Sequence, residues 1–271
     1  MARVRVGALE VAYETDAGPA GDPVLLLMGL GGTRQAWDLV RPALARHHRL
    51  VLVDNRDAGE SDEAAGPYGI ADMAGDALGV MDHLGIARFH VVGASMGGAI
   101  AQQLALRVPR RVASLVLAST WGRTDPFLAA VFGGWRLLVE RLAPEEFLRV
   151  QAPWAFTPRF FVAPPPEMVA VQAEARARGV LKSPPAYQRQ VDACVEHDAL
   201  GRLAGLRVPA LVVVGADDIL TPLRYGRAVA AALAGAELAV LPATGHACFL
   251  ETAAPFGERV VDFLARVGGA V

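Results

Sequence analysis

Short apolar runs alternate with longer amphipathic segments along most of the chain. The runs are rich in Val and Leu, as in strands that are buried on both faces of a sheet; they span 24–27, 50–53, 89–92, 115–117, 211–214 and 238–241. The longer segments have helical spacing, and several begin with Thr, Ser or Pro, which favour helix starts; they span 33–46, 70–84, 96–107, 222–233 and 254–267. This alternation predicts an α/β fold, a mostly parallel sheet with helices on both faces.

Two segments depart from this rhythm. The stretch 4–15 predicts an antiparallel hairpin at the sheet edge, which brings the expected number of strands to eight. From 121 to 200 no buried-strand run appears, while aromatic residues and Pro accumulate. We therefore expect a helical insertion over 121–200, between a first core part, 1–120, and a second, 201–271. The insertion is predicted to cover the carboxyl ends of the strands as a cap, because such sheets bind ligands there.

Composition narrows the classes of function. The chain has 271 residues, a length typical of one α/β domain with an insertion, and no apolar run approaches the roughly 20 residues of a transmembrane helix. Its net charge of -2 comes from interspersed acids and bases, so neither nucleic acid nor a membrane is an expected partner. The N-terminus has no signal-peptide pattern, which favours a cytoplasmic location. Cys194 and Cys248 suggest no disulfide framework and are expected to be small buried hydrophobic residues.

A GxSxG motif at residues 93–97 places Ser95 between a predicted strand and a predicted helix. In this context the motif is typical of a nucleophile elbow, a turn so tight that the serine backbone is strained and its neighbours must be small. The helix N-terminus carries a partial positive charge that favours a developing oxyanion. An isolated GxSxG can also be a glycine-rich turn with an inert serine. The surrounding strand and helix favour Ser95 as a nucleophile.

A serine nucleophile needs a histidine base, and a carboxylate usually orients that histidine. Among the six histidines, His246 follows a late strand in a loop that can reach the elbow. The others lie in or near helices, in a buried strand or at the end of the insertion and are expected to be structural; they are His47, His48, His83, His90 and His197. The loop after strand 211–214 offers two adjacent acids. We predict that Asp218 orients His246 and that Asp217 caps the loop.

Two backbone amides are expected to form an oxyanion hole. One is that of Met96, which follows the nucleophile, and the other is that of Leu30 in the glycine loop 28–32. A glycine loop can also hold a phosphate, but this one lacks the GxGxxG and GKS/T patterns of nucleotide-binding proteins. Since no zinc-type spacing of His, Cys or acids occurs either, the sequence predicts no metal and no cofactor.

Four motifs in this order make the chain resemble the α/β-hydrolases with a helical cap: the glycine loop, the stretch 54–62, the Ser95 elbow, and the Asp218 and His246 loops. Within that family it is most similar to small-ester hydrolases such as aclacinomycin methylesterase, the 3-oxoadipate enol-lactonases and the cofactor-free haloperoxidases. Met28 stands where these proteins usually carry His, and Asp57 where they carry Gly. The aclacinomycin methylesterase group resembles this chain at both positions, so the resemblance still implies intact hydrolytic machinery.

The triad and the resemblance together imply an esterase or lactonase that forms an acyl-Ser95 intermediate on a small to medium, largely apolar substrate. Aromatic residues of the insertion are expected to contact this substrate, although plain packing is the commoner role of any one of them; the candidates are Trp121, Trp135, Trp154 and Phe156. Three alternatives stay open: hydrolysis of C–C bonds in diketones, perhydrolysis as a side reaction, and ligand binding with negligible turnover. The sequence identifies neither the natural substrate nor the oligomeric state.

Overall fold

One eight-stranded sheet forms the centre of the protein. The computed structural model describes residues 1–19, 21–166 and 181–268. The strands are β1 (Ala2–Val6), β2 (Leu9–Asp16), β3 (Val24–Leu27), β4 (Leu50–Val53), β5 (Phe89–Ala94), β6 (Val112–Ala118), β7 (Ala210–Gly215) and β8 (Glu237–Leu241). They lie in the order β1-β2-β4-β3-β5-β6-β7-β8. Strand β2 is antiparallel to β1 and β4, and all other neighbours are parallel. The predicted sheet and its edge hairpin are confirmed.

Helices flank the sheet on both faces. They are α1 (Arg41–Ala45), α2 (Ile70–His83), α3 (Met96–Arg107), α4 (Pro126–Leu138), α5 (Pro144–Ala155), α6 (Pro158–Val162), α7 (Pro184–Val195), α8 (Leu200–Leu203), α9 (Leu223–Ala232), α10 (Cys248–Glu251) and α11 (Ala253–Gly268). None of these described helices has both the length and the apolar character needed to cross a bilayer.

The prediction of one continuous helix over 33–46 is wrong. The structure has a 3-10 turn at Arg34–Trp37 and then the five-residue α1. Pro42 lies in the first turn of α1, and it has no backbone N–H to give to the carbonyl four residues earlier. The helical pattern is therefore interrupted between the two short elements.

Helices α4 to α7 all lie in the insertion, 121–200, between β6 and β7. Within the part of the insertion that the structure describes, the only extended pairing is an isolated bridge between Arg123 and Asp198. This bridge brings the two ends of the insertion together. Residues 167–180, which the insertion was predicted to include, lie outside the described residues.

The strands bury side chains on both faces of the sheet. In β3, Leu25 and Leu27 belong to one buried cluster, together with residues of α2 and α3. Val24 and Leu26 belong to a second cluster, together with residues of α1 and α11. Since alternate residues of a strand point to opposite faces, continuous apolar runs are required here. Cys194 and Cys248 are both buried free thiols, as predicted.

A buried ionic cluster fixes the chain just after the glycine loop. Asp54, at the end of β4, is fully buried and accepts hydrogen bonds from the Arg34 backbone amide (2.8 Å), the Arg34 guanidinium and the Glu60 amide (3.0 Å). Arg34 also pairs with Glu14 at 2.9 Å. At Gly59, which has φ +53°, a β-carbon would overlap the Asp54 carboxylate. The carboxylate therefore ties the 54–62 stretch to the residues that follow the glycine loop.

Candidate active site

Ser95 lies in a strained turn between β5 and α3. Its backbone angles are φ +54° and ψ −119°, a region that non-glycine residues rarely occupy. A β-carbon at Gly93 would overlap the Gly97 carbonyl, and one at Gly97 would overlap the carbonyl of the last residue of β3. Hydrogen bonds hold the turn against the end of β6, from the Ser95 amide to the Ala118 carbonyl (2.9 Å) and from Thr120 Oγ1 to the Ser95 carbonyl (2.7 Å). The turn has the geometry of a nucleophile elbow.

Asp218 and His246 meet at the carboxyl ends of β7 and β8. Asp218 Oδ2 lies 3.0 Å from His246 Nδ1, while Oδ1 accepts hydrogen bonds from the amides of Leu220 (2.9 Å) and Thr221 (2.8 Å). Because Nδ1 is occupied by the carboxylate, the other ring nitrogen is available to the cavity, which His246 lines together with Ser95. The neighbouring Asp217 is exposed to solvent.

Electrostatics keep the Asp218 carboxylate ionised. Burial by itself would raise its pKa, but the adjacent His246 ring and the hydrogen bonds from Thr221 outweigh burial and hold the pKa below its ordinary value. A fixed negative charge beside Nδ1 favours the tautomer with its proton on that nitrogen, and it stabilises an imidazolium formed during reaction.

Thr221 belongs to none of the sequence motifs, yet it contacts both members of this pair. Its hydroxyl donates to Asp218 Oδ2 at 2.8 Å and lies 3.1 Å from His246 Nδ1. In the sequence, the Thr221-Pro222 step indicates only a helix start. No spacing rule distinguishes a threonine that merely precedes a helix from one that braces a carboxylate.

The amides of Leu30 and Met96 are both unengaged. Neither donates a hydrogen bond to any described residue. Leu30 lines the same cavity as Ser95, and Met96 is the first residue of α3, directly after Ser95. Unpaired amides at a helix N-terminus and in an adjacent loop are the donors that an oxyanion requires.

The glycine loop is held close to Ser95. A β-carbon at Gly29 would lie only 3.0 Å from that of Ser95, so glycine lets the loop lie close against the elbow. Asn55 Nδ2 donates to the Met28 carbonyl at 2.8 Å, and the Gly32 amide donates to the Gly29 carbonyl at 3.0 Å. The first of these bonds holds the start of the loop to the segment after β4, and the second closes a turn within the loop.

A cavity of about 610 Å³ lies above Ser95 and is predominantly apolar. Three of the aromatic residues predicted to contact substrate line it, namely Trp135, Trp154 and Phe156. Other aromatic residues there are Phe160, Phe161 and Phe249. Helix α5 contributes three polar residues to the cavity lining, namely Glu145, Arg149 and Gln151.

The fourth predicted contact residue, Trp121, lies elsewhere. It is fully buried and does not line the cavity. Its indole N–H donates to Thr124 Oγ1 at 2.8 Å, and its ring packs against Phe132 at a centroid distance of 5.4 Å. The expectation that Trp121 contacts substrate is therefore corrected, because internal packing already uses both its ring and its polar atom.

A serine and a histidine other than Ser95 and His246 form a hydrogen-bonded pair in the interior of the sheet. His90 Nδ1 is 2.8 Å from Ser114 Oγ, and neither residue lines the cavity. Burial lowers the pKa of His90 to about 4, so the ring is neutral at physiological pH. Across the described ranges, no three His, Cys, Asp or Glu side chains are placed to hold a metal ion.

Asp57, one of the two departures from the family pattern, joins the insertion to the core. It has φ +66°, a conformation in which Gly is favoured and Asp is better tolerated than most residues. Its buried carboxylate accepts two hydrogen bonds from Arg189 of α7, at 2.8 and 2.7 Å, and one from the Tyr68 hydroxyl at 2.7 Å. The side chain that replaces glycine thus binds the insertion.

The loop that carries the candidate base also contacts the insertion. Glu251 accepts a hydrogen bond from the Gly245 amide at 2.8 Å and another from the Thr157 amide at 3.1 Å. The Ala247 amide donates to the Ala155 carbonyl at 2.8 Å. Ala247 is therefore bonded directly to the last residue of α5, and Gly245 is connected through Glu251 to Thr157, which precedes α6.

Known proteins match this chain over nearly its whole length. The family described as "alpha/beta hydrolase fold" matches residues 22–253. A relative from Azorhizobium caulinodans named "Putative carbamate hydrolase RutD" is 32% identical, over 96% of this chain and 97% of its own length. The enol-lactonase from Burkholderia xenovorans LB400 is 30% identical with a TM-score of 0.88, covering 97% of this chain and 100% of its own. A hydrolase from Pseudomonas aeruginosa PA01 is 32% identical with a TM-score of 0.87, covering 97% of each chain. The resemblance inferred from the motifs is confirmed, and this chain belongs to the alpha/beta hydrolase fold family.

Proposed function

We propose that this hydrolase cleaves carboxylic esters or lactones through an acyl-Ser95 intermediate. One observation carries the proposal: Ser95 of the strained elbow and His246, which is paired with Asp218, line the same apolar cavity. His246 takes the hydroxyl proton as Ser95 Oγ attacks the carbonyl carbon, and it then gives that proton to the leaving alcohol. A water molecule then attacks the acyl-enzyme and gives its proton to His246. The proton passes on to Ser95 Oγ as the acid is released. The amides of Leu30 and Met96 stabilise the oxyanion in both steps.

The cavity indicates a small to medium substrate with a substantial apolar part. A volume of about 610 Å³ lies in the range of sites for drug-sized molecules. Apolar surface for the acyl or alcohol group comes from aromatic residues of the insertion, namely Trp135, Trp154 and Phe156. This is the role expected of a helical cap. The structural similarity to the enol-lactonase from Burkholderia xenovorans LB400 adds support for cyclic esters.

Hydrolysis of a carbamate is a second candidate. Two relatives named for it are 32% and 34% identical to this chain, over 96% and 94% of its length. A carbamate carbonyl can be attacked by the same serine. However, an unsubstituted carbamate is small and polar and would leave most of the apolar cavity unfilled. Any carbamate substrate here is therefore expected to carry an apolar substituent.

Hydrolysis rates on two series of substrates, which share the p-nitrophenolate leaving group, separate these two candidates. One series is p-nitrophenyl esters with acyl chains of increasing length, and the other is p-nitrophenyl N-alkylcarbamates of matched length. We expect a higher kcat/KM on esters, with an optimum at an intermediate chain length. Higher values on carbamates at every length would favour the second candidate. No turnover on either series would overturn the proposal and direct attention to diketone substrates and ligand binding.

A further inference from the structure

A buried glutamine of the insertion reaches the glycine loop. Gln190 lies on α7 and is fully buried. Its Oε1 accepts a hydrogen bond from the Gly31 amide at 2.8 Å, and its Nε2 donates to the Arg56 carbonyl at 2.8 Å. One side chain thus connects the insertion with two core segments, those that follow β3 and β4. Because both of its polar ends are paired, its position is well defined.

The bond to Gly31 restrains the peptide unit between Leu30 and Gly31. Three of the five loop residues are glycines, which lose the most conformational freedom on ordering. Gly31 itself has φ +68° and would meet the Tyr187 ring of α7 at 3.0 Å if it carried a β-carbon. With its amide bound to Gln190, the Gly31 N–H points toward the insertion. The preceding amide, that of Leu30, donates to no described residue, and Leu30 lines the cavity.

Other contacts attach α7 to the core without touching the glycine loop. Arg189 binds the Asp57 carboxylate, and the Ser183 hydroxyl donates to Glu63 Oε2 at 2.7 Å. Attachment of the insertion therefore does not depend on Gln190 alone. What Gln190 adds is the bond to the loop that carries a predicted oxyanion donor.

We propose that Gln190 is a positioning residue for the oxyanion hole. It holds the glycine loop so that the Leu30 amide faces the oxygen of the tetrahedral intermediate on Ser95. This inference rests on the proposed function, because it requires an oxyanion to be formed. It also means that the insertion acts on the reaction itself as well as on the shape of the cavity.

The test compares Gln190→Met with the parent on the best p-nitrophenyl ester. Met has a similar length and shape but cannot accept from Gly31 or donate to Arg56. Loss of an oxyanion donor costs on the order of 10²–10³ in rate, and we expect a misplaced donor to lower kcat by about 10- to 100-fold. KM is expected to stay within about threefold, because the ground-state carbonyl gains little from the hole.

Two further variants and an inhibitor separate positioning from folding. Ser183→Ala removes the N-cap of the same helix, so it should lower the melting temperature and leave kcat near that of the parent. Gln190→Glu keeps an acceptor for Gly31 but loses the donor to the Arg56 carbonyl, so among folded proteins its kcat should lie between that of Gln190→Met and that of the parent. An alkylboronic acid, which forms a tetrahedral adduct on a nucleophilic serine, should bind Gln190→Met more weakly by a factor similar to the loss in kcat.

The outcomes distinguish this inference from the proposed function. An active parent with an equally active Gln190→Met variant would overturn the role of Gln190 and leave the ester mechanism intact. That role would also be overturned if Ser183→Ala lost as much kcat as Gln190→Met, or if boronate affinity did not change. An inactive parent would overturn both proposals.

Discussion

Replacing Ser95 with Ala is expected to lower kcat on the best p-nitrophenyl ester by on the order of 10⁶. The hydroxyl is the attacking group, and no other hydroxyl-bearing residue lines the cavity among the residues that the structure describes. The same fall is expected for His246→Ala, and the double variant should be no slower than either single one, because nucleophile and base act as a unit. Initial rates with the folded proteins measure the effect.

Ser119 offers a matched control for this substitution. It also has a positive φ, +45°, and it follows β6, the neighbour of β5. It is buried, its hydroxyl lies 3.6 Å from Cys248 Sγ, and it does not line the cavity. Ser119→Ala should therefore retain most of the parent's kcat. If Ser119→Ala lost activity while Ser95→Ala kept it, the assignment of the nucleophile would be wrong.

Asp218→Asn is expected to lower kcat by about 10⁴ while leaving the fold intact. The amide has nearly the same volume as the carboxylate, but its NH₂ group can face His246 Nδ1 and favour the wrong tautomer. Because the pKa of Asp218 lies below its ordinary value, the parent carries the negative charge throughout the neutral range. The kcat of Asp218→Asn should therefore stay below that of the parent across the neutral range, and a profile of kcat against pH measures this.

The adjacent acid supplies the control for Asp218. Asp217 is exposed, and its backbone amide donates to the Thr244 carbonyl at 2.9 Å. Asp217→Asn should keep the parent's kcat, because its side chain is not part of the pair with His246. Loss of activity in Asp217→Asn with retention in Asp218→Asn would show that the orienting carboxylate was assigned to the wrong residue.

The sheet can be predicted because its signal is local. A continuous run of Val and Leu has few structural solutions other than a strand buried on both faces, and the predicted bounds of β3 and β4 match the structure. The Ser95 elbow is equally accessible, since close backbone approach at Gly93 and Gly97 leaves a glycine pattern in the sequence. The prediction of a helix over 33–46 fails because Pro42, which has no backbone amide to donate, starts a new helix within a segment of helical spacing.

The remaining features depend on contacts between distant parts of the chain. Gln190 binds Gly31, 159 positions away, and nothing in the sequence of α7 distinguishes it from a solvent-exposed glutamine. Trp121 resembles a substrate contact because aromatic residues cluster around it in the sequence, but its ring packs in the interior against that of the distant His197, at a centroid distance of 6.1 Å. Asp57 is unusual in the sequence, yet its pairing with Arg189 becomes visible only in three dimensions.

The most direct test of the acyl-Ser95 mechanism is the mass of the protein after treatment with an alkyl fluorophosphonate, followed by peptide mapping. This reagent reacts with a serine only when a base and an oxyanion hole activate it. We expect one phosphonyl group per chain, located on Ser95, and far slower labelling of the His246→Ala protein. An unlabelled parent, or a label on any other residue, would contradict the mechanism.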